Sequence, residues 1–274
     1  MNSSTTPRSP TRARSRALAR WALLLASCGG PAPAEPAEPS GTLTLHLHGR
    51  VGGEALRMDG TRYPNPGGAG SFELYDARVH LSHLVLSGPA GEVVEPDSVH
   101  LVRFSASGQP FALSLEHVPP GRYDRIAVAI GVDAVANARI DHVGDLDPNG
   151  QMAWNWKTGY KFFVLEGEVH PEEGESVPLV HHVGFSESYR PLTCAVPGGV
   201  EVPRGGGAEV DLEVDLGQAL REPHLIDLVG LPSVKLDPAD AALIADNYAD
   251  MISVRGSAGE GGSRCTVVAA TSPP

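Results

Sequence analysis

The 274-residue chain carries 33 acidic and 21 basic side chains, which gives it a formal net charge of −12. This acidic excess argues against a nucleic-acid binder, because such proteins need a basic face for the phosphate backbone. Apolar residues make up 41% of the chain, enough for a substantial core, and 32 Gly with 24 Pro favour a turn-rich β protein. Only three Trp and three Cys are present, so these scarce residues guide the search for a site.

Residues 1–27 have the layout of a lipoprotein signal peptide. Five Arg and no acidic residue accompany an apolar run that is too short for a membrane-spanning helix. The sequence LASC at 25–28 resembles a bacterial lipobox, which implies cleavage before Cys28 and lipid attachment to its thiol. Gly29 at the next position favours an anchor in the outer membrane, facing the periplasm. A plain secretory signal with an incidental Cys is the alternative.

Residues 28–41 form a Pro/Ala/Glu-rich tether, whose composition is unsuited to building a core. Because neither a composition break nor an internal repeat follows, we expect a single β-rich domain over residues 42–274. Removal of the leader would take away five Arg and lower the net charge from −12 to −17.

Apolar and polar residues alternate from Thr42 onward, which predicts a strand with Leu43, Leu45 and Leu47 on one face. Similar patterns predict strands at residues 72–86, 92–94, 98–104, 111–116, 123–132, 160–170, 177–183 and 209–216. A helix is predicted after Asp237-Pro238, and a shorter helical turn at 134–138. The expected fold class is all-β: an antiparallel β-sandwich or barrel-like domain with one C-terminal helix.

The segment 137–160 holds the densest group of chemically distinctive side chains. Trp154 and Trp156 are the two Trp residues left once the leader is removed, and in an extended segment they share a face with Met152. Taken alone, such a face is typical of core packing. Asp145 and Asp147 lie in the turn DLDPNG, which lacks the Glu that a calcium loop needs at its twelfth position. A turn whose carboxylates cap backbone groups is the favoured interpretation.

The chain has eleven His, which is the second unusual feature of its composition. His46 and His48 share one predicted strand face, whereas His83 and His182 lie in other predicted strands. Imidazole suits copper, zinc, iron or nickel, but no ordered spacing such as H-E-x-x-H identifies a metal.

Cys194 and Cys265 remain in the exported chain besides the lipidated Cys28. In an oxidising compartment such a pair is most simply a disulfide, which would join the C-terminal tail to the body. Free thiols and copper ligation are the alternatives.

Several motifs together resemble a known family. The most specific is GDLDP at 144–148 followed by WNWKTGYKF at 154–162. Weaker matches are HGRVGG at 48–53, LSHLVL at 81–86, IGVD at 130–133, HVG at 182–184 and ADNY at 245–248. Across about residues 42–255 the chain resembles the MbnP family, copper-binding proteins found beside a MauG-like di-haem c-type cytochrome peroxidase (the metallo-mystery pair).

This resemblance implies a β-rich copper carrier without an active site of its own. In the family, the partner oxidises a Trp to kynurenine, and His ligands hold copper near the modified residue. An aryl amine made from Trp would add a copper ligand that the genetic code does not supply. Carried over by position, the candidates for modification are Trp156, which is nearer the following turn, and then Trp154. The candidate copper ligands are His48, His83, His182 and His46. Asp145 and Asp147 are the candidates for orienting the imidazoles.

Two other function classes stay open. One is a structural or adhesive β-sandwich surface lipoprotein without metal, in which the Trp pair is core. The other is a hydrolase using Asp145 and Asp147 as paired carboxylates, which is less favoured because the turn lacks a neighbouring nucleophile. The sequence has no G-x-S-x-G elbow, phosphate loop or dinucleotide fingerprint.

Overall fold

The protein is described here as a computed structural model over residues 39–95, 98–139, 141–155, 158–256 and 262–268. These residues belong to one compact unit. The predicted signal peptide, the predicted lipidation site Cys28, nearly all of the predicted tether and Trp156 lie outside the described residues. Within the described ranges, no helix is long and apolar enough to cross a membrane.

Strands make up about half of the described chain. They are β1 (Gly41–Val51), β2 (Glu54–Ala55), β3 (Tyr63–Pro64), β4 (Ser71–Gly88), β5 (Gly91–Val94), β6 (Val99–Arg103), β7 (Phe111–Val118), β8 (Gly121–Ile130), β9 (Ala153–Asn155), β10 (Gly159–His170), β11 (Val177–Gly184), β12 (Arg190–Val202), β13 (Gly207–Asp215), β14 (Ser233–Val234), β15 (Ile252–Val254), β16 (Ser263–Arg264) and β17 (Thr266–Val267). The α-helices are α1 (Ala134–Asn137) and α2 (Pro238–Tyr248), and short 3₁₀ turns lie at Gly144–Leu146, Ser186–Ser188 and Gln218–Leu220.

The strands form two sheets. In the smaller sheet the order is β16-β15-β13-β1-β2, with β7 also paired to β1. In the larger sheet the order is β14-β11-β10-β4-β8-β12-β17, with β3, β5 and β6 on β4 and β9 on β10. The all-β expectation is confirmed, although β1 pairs with β13, and β11 with β14, in parallel. Alternation within a strand predicts its faces but carries no information about the direction of its neighbour.

The sequence pattern missed β12, a long strand of the larger sheet. Pro191 and Pro197, followed by Gly198 and Gly199, interrupt its alternation and are typical of a turn. The strand accommodates them because its register against β8 shifts between Ala195 and Val200. Extra residues are absorbed there as a bulge.

The main core lies between the inner faces of the sheets and is closed by α2. Leu43, Leu45 and Leu47 are at most 2% exposed, which confirms the inward face predicted for β1. The Asp237 carboxylate accepts hydrogen bonds from the first turn of α2, the predicted N-cap. At the other end of this helix, the ring of Tyr248 packs 5.8 Å from that of Phe163 on β10.

A second, smaller apolar layer covers the opposite face of the larger sheet. Met152 packs with Leu101 of β6 and Val164 of β10, and Leu146 packs with Tyr160 and Phe162. The segment that carries the GDLDP and Trp motifs is therefore held against this outer face, beside the start of β10 and the end of β11.

Candidate functional site

The Trp-bearing segment is fixed by hydrogen bonds of Asn137 and Tyr160. The side-chain Oδ1 of Asn137 accepts a hydrogen bond from the backbone N–H of Tyr160 at 2.9 Å. Gly159 has a φ of +82°, and a Cβ there would lie 2.3 Å from the same Oδ1, so glycine is required on both counts. The hydroxyl of Tyr160 donates to the carbonyl of Leu146 at 2.7 Å.

Asp145 and Asp147 cap backbone groups, as the turn pattern predicted. Asp145 Oδ2 accepts from the N–H of Leu101 at 2.7 Å, and Asp147 Oδ1 accepts from the N–H of Asn149 at 2.8 Å. Within the described hydrogen bonds, neither carboxylate contacts a candidate copper imidazole, although Asp145 and His83 line the same surface cavity. Their predicted role in orienting copper ligands therefore rests on the resemblance alone.

Buried His80 joins this segment to the sheet. Its Nδ1 lies 2.8 Å from the carbonyl oxygen of Lys161, and its Nε2 lies 3.2 Å from that of Asp145. Removal from water lowers the pKa of His80 below its ordinary value, against the opposing effect of both carbonyls. The neutral ring carries one N–H and donates to one of these two carbonyl oxygens at a time, which ties β4 either to β10 or to the motif segment.

Trp154 is half-buried against the end of β11. Its ring centroid lies 5.2 Å from that of Phe185, and a Cβ atom on Gly184 would come within 2.6 Å of its Cζ3 atom. His182 lies two residues before Gly184, on the same face of the strand, because strand side chains alternate. The structure thus places one candidate Trp against the end of the strand that carries one candidate His.

His182 has the surroundings of an oriented metal ligand. Its Nε2 lies 2.7 Å from Oε1 of Glu166, which is on the neighbouring strand β10. Burial lowers the pKa of His182 below its ordinary value, so the neutral, metal-binding form of the ring predominates near neutral pH. Metal-binding His residues commonly donate one ring N–H to a carboxylate and use the other nitrogen for the metal. Glu166 also lines a cavity of about 450 Å³ with Ala153, the residue before Trp154.

The other candidate His residues lie elsewhere. On β1 of the smaller sheet, His48 Nε2 is 2.6 Å from Asp211 Oδ1 and His46 Nε2 is 3.7 Å from a Glu209 oxygen. On β4, His83 Nδ1 is 2.6 Å from the hydroxyl of Tyr189. Among the described residues, none of the four candidates belongs to a group of three ligand atoms within 4.8 Å of one another.

One such group was not foreseen from the sequence. Ligand atoms of Glu73, Glu168 and His170 all lie within 4.8 Å of one another. The spacing Glu168-x-His170 in a predicted strand was a usable signal, because it places both side chains on one face. The third member, Glu73, is almost a hundred residues away and joins them only through the pairing of β4 with β10.

The predicted disulfide is confirmed. Cys194 of β12 and Cys265, between β16 and β17, are bonded across 71 residues, and both are buried. The bond attaches the C-terminal segment to the edge of the larger sheet.

Comparison with known proteins identifies the family and the fold. The MbnP family model matches residues 40–235. The structure is similar to MbnP from Methylosinus trichosporium, with a TM-score of 0.51 and 17% identity, covering 74% of this chain and 86% of that chain. At this identity the likeness concerns the fold. No curated protein matches the sequence. Since the family match covers more than two thirds of the residues, the chain belongs to the MbnP family.

Proposed function

We propose that this chain is an exported, copper-associated protein whose Trp154–Trp156 block is oxidised by a di-haem peroxidase-like partner. Family membership supports the association with copper. The observation that carries the proposal is the contact of Trp154 with Gly184, two residues after His182 on β11. In this role the chain is the substrate of its partner and not itself an enzyme.

The proposed modification converts an indole to kynurenine. The partner would use two molecules of hydrogen peroxide, each reduced to water, to cleave the C2–C3 bond of the indole and leave a carbonyl oxygen on each carbon. Hydrolysis would then release the formyl carbon as formate, leaving an aryl ketone and a free aryl amine. Trp154 suits such a reaction because it is only half-buried, which leaves part of the ring accessible to a partner.

Copper is the cargo in this proposal, and His182 is the residue best placed to bind it. Glu166 would orient the ring through Nε2 and leave Nδ1 to face the metal. The aryl amine formed from the neighbouring Trp would supply a second nitrogen ligand, and imidazole and amine nitrogens both suit copper. His46, His48 and His83 would serve as ligands at other positions on the surface.

The proposed location is the cell envelope. A lipid on Cys28 would anchor the domain through its tether to the outer membrane, on the periplasmic side. There the acidic chain would bind a basic face of its partner, since opposite charges increase the rate of association.

The decisive experiment is co-production with the di-haem partner, followed by peptide mass mapping of residues 154–156 and metal analysis of the same sample. We expect an oxidised Trp and bound copper in the parent. Trp154→Phe and Trp156→Phe will show which ring is modified. His182→Asn should lose the copper ion held beside the modified Trp while retaining the modification, whereas His117→Asn, at an exposed position on β7, should keep both. Unmodified Trp together with copper-free protein would contradict the proposal.

A further inference from the structure

We propose that Glu73, Glu168 and His170 form a separate site for a zinc-like divalent cation on the outer face of the larger sheet. One carboxylate oxygen from each Glu and one ring nitrogen of His170 lie within 4.8 Å of one another. The site shares no ligand with the proposed copper site, so it does not depend on the proposed function.

The strand register creates a concentration of negative charge. Glu73 of β4 lies directly opposite Glu168 of β10 in an antiparallel pair. Like charges in directly opposed positions destabilise a sheet, so the pair is suited to a cation between its carboxylates.

A β-bulge places Tyr75 over the two carboxylates. The register of β4 against β10 skips Tyr75, since Asp76 pairs with Glu166 and Leu74 pairs with Gly167. The Tyr75 hydroxyl lies 2.7 Å from Glu73 Oε1 and 3.0 Å from Glu168 Oε2. A single hydroxyl proton serves only one of these oxygens at a time, so the pair retains acceptor capacity for a cation.

His170 is the observation that points to a ligand. Its side chain is only 10% exposed, and its Nε2 atom is buried without a hydrogen-bond partner. The other ring nitrogen, Nδ1, lies 2.7 Å from the hydroxyl of Ser176, which fixes the ring orientation. Buried polar atoms are normally paired, so the unpaired Nε2 calls for a partner.

The distance from Nε2 to the nearest carboxylate suggests what that partner is. Nε2 of His170 lies 3.4 Å from Oε1 of Glu73, compared with about 2.9 Å for an ordinary N–H···O hydrogen bond. Two ligands that bind a tetrahedral zinc ion at about 2.1 Å are about 3.4 Å apart. The separation is therefore that of two ligands around one ion.

The ligand chemistry favours zinc over calcium, magnesium and Cu(I). Calcium and magnesium prefer six or more oxygen ligands, and Cu(I) prefers softer donors than carboxylates. One imidazole with two carboxylates matches the mixed nitrogen and oxygen set of zinc sites that leave a fourth position for water.

The test is calorimetric titration of the full mature chain with zinc chloride. Nitrogen NMR of the His rings would be recorded on the same samples. We expect one zinc ion at this site, a zinc-dependent shift of the His170 Nε2 resonance, and affinity reduced about tenfold or more in Glu168→Gln. Glu116→Gln, an exposed carboxylate on β7, is the matched control and should bind as the parent does. His182→Asn should also leave this zinc site intact, which separates it from the proposed copper site.

Either of two results would overturn the proposal: no zinc binding by the parent, or equal zinc affinity in the parent and Glu168→Gln. A higher melting temperature in Glu168→Gln, without zinc binding by the parent, would instead assign the cluster to a protonated His170 paired with Glu73. Thermal unfolding of each variant without metal serves as the check of folding. His170→Asn gives an independent test, because it removes the nitrogen ligand and keeps both carboxylates.

Discussion

Trp154 and Gly184 are in such close contact that a methyl group on the glycine would lie 2.6 Å from Cζ3 of the indole. The same methyl group would lie 2.4 Å from the carbonyl oxygen of Tyr160, so the end of β11 has no room for a side chain at this position. The absence of a side chain on Gly184 lets the indole reach the strand that carries His182.

Gly184→Ala should therefore displace Trp154 and lower the melting temperature. We expect a red shift of Trp emission, measured in a Trp156→Phe background on protein produced without residues 1–27, so that Trp154 is the only indole. Gly207→Ala is the matched control, because a Cβ there meets no atom within 4 Å. Unchanged emission in Gly184→Ala would contradict the described position of the indole.

Phe185 should show a measurable backbone strain. This residue has a φ of +68° and a ψ of 145°, a conformation that side chains disfavour, while its ring contacts Trp154. Both Phe185→Ala and Phe185→Gly remove the ring, but only glycine relieves the backbone. The alanine variant should therefore be less stable than the glycine variant by about 1 kcal/mol in urea unfolding. The opposite order would show that the backbone there is unstrained.

His80 should make stability depend on pH. Its folded-state pKa lies below the value of about 6.5 expected in the unfolded chain, so the unfolded state binds more protons at acid pH. The free energy of unfolding should accordingly fall as the pH drops below about 6.5. His80→Asn should show a shallower decline than the parent in urea titrations between pH 7.5 and 5. His117→Asn, at an exposed position, should follow the parent curve; equal slopes in all three proteins would count against His80.

The disulfide should contribute substantially to stability. It closes a loop with a sequence separation of 71, for which the chain-entropy estimate is about 4 kcal/mol at 25 °C. Simultaneous Cys194→Ala and Cys265→Ala should lower the free energy of unfolding toward that extent in urea. Added reductant should destabilise the parent and leave the double variant unchanged. A double variant as stable as the oxidised parent would show that the disulfide adds little to the free energy of unfolding.

Much of the fold follows from local patterns. Alternation predicted the inward face of β1, the N-cap residue predicted the start of α2, and the GDLDP-to-GYKF motif located the segment around Trp154. The predicted strand from 123 to 132 corresponds to β8, which begins at Gly121 and ends at Ile130. The sequence pattern did not predict β12, because the Pro and Gly residues of this strand are typical of turns. Only pairing with β8 makes an extended conformation favourable there.

By itself, the sequence determined the all-β class, the inward face of β1 and the motifs of the MbnP family, and it favoured a disulfide between Cys194 and Cys265. Only the tertiary structure decided which faces meet: Trp154 with Gly184, Glu166 with His182, and Glu73 with Glu168. The physical reason is that a two-residue period is a property of one strand, whereas register, bulges and strand order depend on packing between distant segments. Both candidate sites lie where such segments meet, so their residue types are visible in the sequence and their combination is not.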